Sequence, residues 1–413
     1  MITTSNTAYS APAAARQRPG FASRLLSIDL LRGLTIAFMI LVNNNGDEER
    51  AFWPLKHAVW NGFTPTDLVF PTFLLLVGVS VVLATQSRLA RGVSPSTIFF
   101  SALRRTIILI VLGIIVNSFP FFHLDTMRFY GVLQRIGICY FVAVVLQLIS
   151  PGWQSKAAVL VAALVGYWAL LRFVSVPGYG VPTQTVPLLD QTGNLTAWLD
   201  RQIFSPNHLY ERVRDPEGLL STLPAVGTIL IGVLTGLWIR SARPLQQRVL
   251  GIAAAGTTLV ILGGIWNFSF PINKRLWTSS YVLFAGGLTL LMLSVAMWLV
   301  DLRAETREHV ATEPNQPIPT RDVNELGHPR LFRPLLVFGT NSISAYFLSE
   351  LLAGGLGSVM VRPHLSVLSW VYQQIHTVVP NAPIASLLYS LLYVLVCWIP
   401  IYFLYRRRIF LKV

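Results

Sequence analysis

The chain has 413 residues, of which 53% are hydrophobic and 12% are charged, and its formal net charge is +14. With a mean hydropathy of +0.58, this composition excludes an ordinary soluble domain and indicates a membrane protein. The basic residues are scattered between apolar runs rather than gathered in one domain, so we expect basic membrane loops and no nucleic-acid partner.

Apolar runs of about 20 residues recur along the chain, and each is long enough to cross a lipid bilayer as a helix. They predict an all-α polytopic membrane protein with about ten transmembrane helices. The predicted spans cover residues 26–44, 66–86, 99–117, 131–149, 157–174, 220–239, 248–267, 278–300, 335–356 and 384–405.

The basic residues also predict how the chain is oriented in the membrane. Loops on the side of the termini carry twenty Lys and Arg residues, whereas the opposite loops carry nine. Because cytoplasmic loops are enriched in basic residues, both termini are predicted to be cytoplasmic. Residues 1–23 are then a flexible cytoplasmic tail and residues 24–410 a transmembrane domain, with a long loop on the far face at 175–219 and a cytoplasmic linker at 301–333.

Polar residues inside apolar spans are costly in lipid and usually face the interior of the bundle. Asp29 and Arg32 lie three residues apart in the first span, on one helical face, and are predicted to form an ion pair. Glu350, in the ninth span, is predicted either to pair with another helix or to line a wet cavity. Arg135, near the start of the fourth span, either snorkels outward or holds an anionic group.

The sequence contains no arrangement of residues typical of a metal site or a disulfide framework. The two cysteines, Cys139 and Cys397, both lie inside apolar spans, and there is no His-Glu-x-x-His motif. We therefore expect no metal cofactor.

A polar, aromatic-rich loop leads into the second span, from Lys56 to Pro71, and it contains His57. An imidazole takes up and returns a proton near neutral pH without special tuning, so His57 is a candidate for acid-base chemistry. Asp67, at the start of the span, either complements the helix dipole or orients the imidazole.

Five sequence blocks give the chain its likeness to a known family. The blocks are Ser27–Thr35, Lys56–Pro71, Gly131–Gly137, Asp215–Gly218 and Pro271–Trp277. In these blocks, and over nearly all of residues 24–410, the chain resembles the heparan-α-glucosaminide N-acetyltransferase family. The eukaryotic members move acetyl groups from cytosolic acetyl-CoA to glucosamine ends of heparan sulfate. Because the chain lacks their N-terminal luminal domain, we expect a bacterial relative in the inner (cytoplasmic) membrane, with His57 on the periplasmic face and an acceptor other than heparan sulfate.

The resemblance also implies roles for individual residues. The active histidine of the family falls on His57, and its nearby asparagine falls on Asn43 or Asn44, with Asp67 as the candidate orienting carboxylate. The residues carried over as lining the acetyl-CoA site are Arg135, Asn341 and Ser342. Beside the resemblance, the basic residues Arg104 and Arg105 on the inner face are expected to hold the anionic nucleotide end of acetyl-CoA. Residues expected to contact the acceptor are Trp60, Asn61, Lys274 and Trp277.

The function implied is transfer of an acetyl group from cytoplasmic acetyl-CoA to an amino sugar or related glycan on the periplasmic side. His57 acts in this hypothesis either as general base or as a transient acetyl carrier. Two alternatives stand beside it: an inner-membrane transporter of N-acetylglucosamine or a related sugar, and a purely structural His57 loop that anchors the chain at the interface. A homodimer is implied by the resemblance alone.

Overall fold

The computed structural model describes residues 25–302 and 332–410. The predicted tail at 1–23, and all of the predicted linker at 301–333 except its ends, lie outside these described residues. The predicted orientation of the bundle across the membrane stays a prediction.

The described residues form thirteen α-helices and one short hairpin, which confirms the all-α class. In chain order the helices are α1 (Leu26–Asn43), α2 (Val69–Ala90), α3 (Pro95–Ser118), α4 (Val132–Ile149), α5 (Trp153–Phe173), α6 (Leu195–Ile203), α7 (Thr222–Ile239), α8 (Leu245–Asn267), α9 (Ser279–Ala296), α10 (Arg333–Thr340), α11 (Ser342–Ser358), α12 (Val367–Val378) and α13 (Ala382–Arg406). The hairpin pairs β1 (Met360–Arg362) with β2 (Leu365–Ser366) in antiparallel fashion.

Within the described ranges, nine helices are long and apolar enough to cross a membrane, and α10 with α11 makes a tenth candidate. The number agrees with the ten predicted spans. The predicted ninth span is not one straight helix, however, because α10 and α11 meet at an angle of 87°. The short helix α12, which follows the hairpin, was not among the predicted elements.

The helices at the centre of the bundle touch through glycines. A Cβ added to Gly78 on α2 would lie 2.2 Å from the Ile229 carbonyl oxygen of α7. A Cβ on Gly232 of α7 would likewise lie 2.0 Å from the Leu75 carbonyl oxygen of α2. Small residues allow this close backbone approach, which is how membrane helices pack when lipid offers no hydrophobic driving force between them. The position of α2 is therefore fixed by its contact with α7.

Other helices present exposed apolar side chains on their outward faces, as contact with lipid requires. Phe100 on α3, Phe173 on α5 and Ile265 on α8 are each about two-thirds exposed. These helices therefore form the periphery of the bundle around α2 and α7.

The bundle has two ends, which carry different chemistry. We call the end with residues 44–64 the His57 end, and the opposite end, with the connection between α2 and α3, the Arg88 end. The predicted long loop at 175–219 lies at the His57 end, where the Trp60 indole nitrogen donates to the Leu189 carbonyl oxygen at 2.8 Å. The loop has regular secondary structure of its own, since it contains α6 and a 3₁₀ turn at Pro206–His208.

We predict that replacing Gly232 with alanine destabilises the bundle, because the added methyl group has no room against α2. Overpacking of this kind typically costs about 1–3 kcal/mol, so the midpoint of thermal unfolding in detergent should fall. Gly264→Ala on α8 is the matched control, since a Cβ there meets nothing within 4 Å. Equal unfolding midpoints for the two variants would contradict the close α2–α7 contact.

Candidate active site

The loop around His57 is shaped by the start of the second span. Residues Pro65–Leu68 form a 3₁₀ turn that runs directly into α2, with Pro65 at its first position. The backbone N–H groups of Thr64 and Ala58 donate to Asp67 Oδ2 at 3.0 and 3.2 Å. The Thr-x-x-Asp spacing with proline after the threonine is typical of such a helix start. One carboxylate oxygen therefore organises the turn and leaves the other oxygen free for a partner.

That partner is His57. Its Nδ1 lies 2.7 Å from Asp67 Oδ1, and the carboxylate is 1% exposed whereas the imidazole is 33% exposed. An ionised carboxylate only accepts hydrogen bonds, so Nδ1 carries the proton and Nε2 keeps its lone pair. The geometry thus presents an oriented imidazole whose basic nitrogen is available at a partly open surface.

Lys274, from the connection between α8 and α9, reaches the same imidazole. Its Nζ lies 3.2 Å from both ring nitrogens of His57, so the ammonium stands beside the ring and donates toward Nε2. A positive charge at this distance disfavours protonation of the imidazole. Lys274 therefore favours the neutral form of His57, which is the form that acts as a base.

The pKa values of these two groups follow from their surroundings. Burial lowers the pKa of His57, the hydrogen bond to Asp67 opposes that effect, and the Lys274 charge lowers the pKa further. Burial also lowers the pKa of the Lys274 amine. The imidazole is accordingly neutral at pH 7, and it becomes charged only when the pH falls below its lowered pKa.

The segment that follows His57 is anchored by three consecutive residues. Gly62 donates its backbone N–H to the Ile272 carbonyl oxygen at 2.8 Å, and Asn273 Nδ2 donates to Asn61 Oδ1 at 3.0 Å. Trp60 is covered on one face by the Arg214 guanidinium, 4.3 Å from the ring centroid. A groove of about 350 Å³ opens between these anchors. Its lining includes Trp60, Asn61, Asp190, Gln191 and Pro271.

The two candidate asparagines have different environments at the end of α1. Asn43 is exposed, and its Nδ2 donates to Glu350 Oε1 at 3.3 Å. Asn44 donates instead to the Ile40 carbonyl oxygen of its own helix at 2.9 Å. Of the two alternatives predicted for Glu350, pairing with another helix or lining a wet cavity, the structure shows the first, since Glu350 contacts α1 through Asn43. Asn43 is therefore the more accessible of the two amides, and its second N–H remains available.

A separate cavity of about 210 Å³ lies toward the Arg88 end. Residues that line it include Arg32, Phe73, Ser80, Arg88, Arg105 and Ser342. Three guanidinium groups at one cavity form a site suited to an anionic group such as a phosphate. Arg32 also donates to Ser80 Oγ at 2.7 Å, and its 3.1 Å ion pair with Asp29 confirms the pairing predicted from their spacing.

The residues expected to contact acetyl-CoA are thus divided among four places, the last of which holds Arg135. Arg105 and Ser342 line the arginine-bearing cavity, and the Arg105 guanidinium lies 4.7 Å from the centroid of the Tyr140 ring. Arg104 is exposed on another face of α3. Asn341 is buried at the bend between α10 and α11, where its Nδ2 donates to the Ile409 carbonyl oxygen at 3.2 Å.

Arg135 and Trp277 lie together in the protein interior, away from that cavity. Both are 1% exposed, and the guanidinium stands 5.1 Å from the centroid of the indole ring. Arg135 Nη2 donates to the Gly218 carbonyl oxygen at 3.1 Å, and Trp277 Nε1 donates to Thr228 Oγ1 at 3.0 Å. In this arrangement Arg135 holds the end of the long loop against α4, and Trp277 lies behind the site rather than at its surface.

Two contacts of predicted site residues have no signal in the sequence. Lys274 and His57 are 217 positions apart, and Asn43 and Glu350 are 307 apart. The only hint is chemical: Lys274 and Glu350 are ionisable groups next to or within apolar spans, where an ionisable residue usually has a partner. Among the described residues, no group of three or more His, Cys, Asp and Glu side chains is arranged to hold a metal ion.

Comparison with known proteins identifies a family for this chain. A sequence profile described as "Heparan-alpha-glucosaminide N-acetyltransferase, catalytic" matches residues 24–264, more than half of the chain. The human heparan-alpha-glucosaminide N-acetyltransferase is 31% identical over 337 residues, which cover 68% of this chain and 49% of the human protein. The mouse protein of the same name is 30% identical over 338 residues, covering 69% of this chain and 51% of the relative. The chain spans about half the length of these curated relatives.

The charge beside the imidazole gives a prediction for its titration. Because the Lys274 charge lowers the pKa of His57, Lys274→Met should raise that pKa, and the neutral imidazole should be lost at a higher pH than in the parent protein. The measurement is a pH titration of the ¹⁵N-labelled histidine signals, with the His57 signal assigned from its loss in His57→Gln.

Lys56→Met is the control, since the Lys56 amine donates to the Glu49 carbonyl oxygen rather than to the ring. An unchanged or lowered His57 pKa in Lys274→Met would show that the ammonium does not act on the imidazole.

Proposed function

This chain belongs to the heparan-α-glucosaminide N-acetyltransferase family, and we propose that it is a membrane-embedded acetyltransferase that uses acetyl-CoA to acetylate an amino sugar or related glycan. The observation that carries the proposal is the 2.7 Å contact between His57 Nδ1 and the buried Asp67 carboxylate, inside the region that matches the family. Family membership does not favour the alternative of a sugar transporter without acyl transfer.

His57 Nε2 is the proposed base. As the acceptor nitrogen attacks the carbonyl carbon of the thioester, Nε2 takes a proton from that nitrogen, and the carbon–sulfur bond breaks. The proton then passes to the departing CoA thiolate, which leaves as the thiol. In the covalent version Nε2 itself attacks the thioester carbon, the carbon–sulfur bond breaks and the CoA thiolate leaves. The acceptor nitrogen then attacks the acetyl carbon, the bond to Nε2 breaks, and the proton that this nitrogen loses passes to the CoA thiolate. Asp67 keeps the proton on Nδ1 in both versions, so that Nε2 faces the reacting atoms.

Asn43 is the proposed hydrogen-bond donor to the oxygen that becomes negative during the transfer. The Glu350 carboxylate only accepts hydrogen bonds, so the Asn43 side chain turns its Nδ2 group toward it. This contact uses one N–H of the amide and leaves the other free. Donors of this kind lower the barrier by about 2.7–4 kcal/mol in acyl-transfer enzymes.

The arginine-bearing cavity is the proposed entrance for acetyl-CoA. Along α2 its lining runs from Arg88 to Phe73, which corresponds to about 22 Å of helix at about 1.5 Å per residue. From Phe73 to Asp67 the axial distance is about 9 Å more. The cavity and the groove at the His57 end share no lining residue, and neither is lined by His57. The acyl arm must therefore pass Phe73, which is 4% exposed, to bring the thioester to the imidazole.

The groove at the His57 end is the proposed acceptor site. An indole ring provides a flat apolar face for a sugar, and Trp60 is held in place by its bond to Leu189 and by the Arg214 guanidinium. Asn61 and Asp190 supply polar groups for sugar hydroxyls or an amine. We place this end on the periplasmic face of a bacterial inner membrane, with the Arg88 end in the cytoplasm and with a homodimer as the assembly.

The central test is His57→Ala in purified protein, assayed for acetyl transfer from acetyl-CoA to glucosamine. Loss of general-base catalysis alone should reduce turnover by a factor of about 10²–10⁴. His123→Ala is the control, because His123 lies exposed in the connection between α3 and α4 and should leave turnover unchanged. Turnover by His57→Ala at the parent rate would leave the His57 loop with only a structural role.

The donor site is tested by two neighbouring arginines. Arg105 lines the cavity and Arg104 does not, so Arg105→Ala should raise the KM for acetyl-CoA about tenfold, as expected for one lost charge-assisted phosphate contact. Arg104→Ala should leave this KM nearly unchanged. A KM increase for Arg104→Ala that equals or exceeds the increase for Arg105→Ala would contradict binding of acetyl-CoA in the cavity.

A further inference from the structure

The amine of Lys274 occupies the position that the proposed chemistry requires of an acceptor amine. An acceptor nitrogen must lie within hydrogen-bond reach of the basic nitrogen of His57 so that it can give up its proton. Lys274 Nζ is 3.2 Å from His57 Nε2. The protein thus holds a primary amine of its own at the reacting position.

Burial makes the Lys274 ammonium lose its proton more readily than an exposed lysine would. Only the uncharged amine has the lone pair that attacks a thioester, and burial lowers the pKa of Lys274. The nearby positive charge of Arg275 acts in the same direction, while the Asp67 charge opposes it. His57, oriented by Asp67, is the base that removes the proton that this nitrogen loses when it bonds to the acetyl carbon.

No other lysine among the described residues shares this position. The Lys56 amine donates to the Glu49 carbonyl oxygen, although Lys56 is next to His57 in the sequence. Lys156 lies buried near the start of α5, whose first residues follow a connection at the Arg88 end. The described part of the chain therefore contains one amine in contact with the imidazole, and it is the amine of Lys274.

We propose that Lys274 is a site of self-acetylation, modified when the donor thioester is bound and the acceptor site is empty. Lys274 Nζ attacks the thioester carbonyl carbon, a carbon–nitrogen bond forms and the carbon–sulfur bond breaks. His57 removes a proton from the nitrogen, and the proton leaves with the CoA thiol. The proposal rests on the proposed function, since it needs the acetyl thioester at His57.

Acetylation of Lys274 would switch the site off. The product is an amide, which has no positive charge and does not return its acetyl group to a sugar amine. Its acetyl group would fill the space beside Nε2 that the acceptor must enter. An amino sugar bound in that space would in turn protect Lys274, so the modification would accumulate only when acceptor is scarce.

The test is incubation of the purified full-length protein in lipid nanodiscs with acetyl-CoA alone, followed by mass spectrometry of the peptide that contains Lys274. We expect acetyl-Lys274 to accumulate with time, in parallel with loss of glucosamine acetylation measured on the same sample. Added glucosamine should slow the modification, and His57→Ala should suppress it. Lys274→Arg, which keeps the charge but has no lysine amine, should turn over at a rate that does not decline during incubation with acetyl-CoA.

Lys56 serves as the internal control for uncatalysed acetylation. Modification of Lys56 and Lys274 to the same extent, or modification of Lys274 that persists unchanged in His57→Ala, would overturn the proposal. It would also be overturned by an unmodified Lys274 in a preparation that acetylates glucosamine, and the proposed function would then stand. Absence of both activities would instead contradict the proposed function itself.

Discussion

The Asp67 carboxylate holds both the loop backbone and the His57 imidazole, and the site depends on both interactions. One oxygen accepts the backbone N–H groups of Ala58 and Thr64, which fixes the loop and the start of the second span. The other oxygen accepts the Nδ1 proton of His57 and sets the direction of the imidazole. Because the carboxylate is buried, it has no water to replace either partner, so loss of one interaction disturbs the other.

The same helix connects the imidazole with the opposite end of the bundle. Asp67 lies in the 3₁₀ turn that leads into α2, and the glycine contact of α2 with α7 holds the helix at the centre of the protein. Near its other end, Arg88 lines the cavity that Arg32 and Arg105 make cationic. A donor that is anionic at one end and reactive at the other matches this arrangement, with its charged end among the arginines and its thioester beyond Phe73. The proposed chemistry therefore requires movement of buried side chains between the cavity and the imidazole, beginning with Phe73.

The features that depend on local sequence pattern could be predicted from the sequence. Apolar run length predicted the spans, the three-residue spacing of Asp29 and Arg32 predicted their ion pair, and the ordered blocks predicted the family. Features set by packing between distant segments could not be predicted in this way. The 87° bend at Asn341 lies inside the predicted span 335–356, which the sequence marks as continuous. Likewise, the spacing of residues cannot show that Arg135 and Trp277 turn inward, or that Lys274 meets His57 across 217 positions.

In the proposed mechanism a thioester enters at the Arg88 end and reacts with an acceptor at the His57 end. Sealed proteoliposomes with acetyl-CoA trapped inside and glucosamine supplied only outside test this transfer across the membrane. The mechanism predicts N-acetylglucosamine in the outer solution while free CoA stays within the vesicles. Product formed only when both substrates are on the same side of the membrane would contradict it.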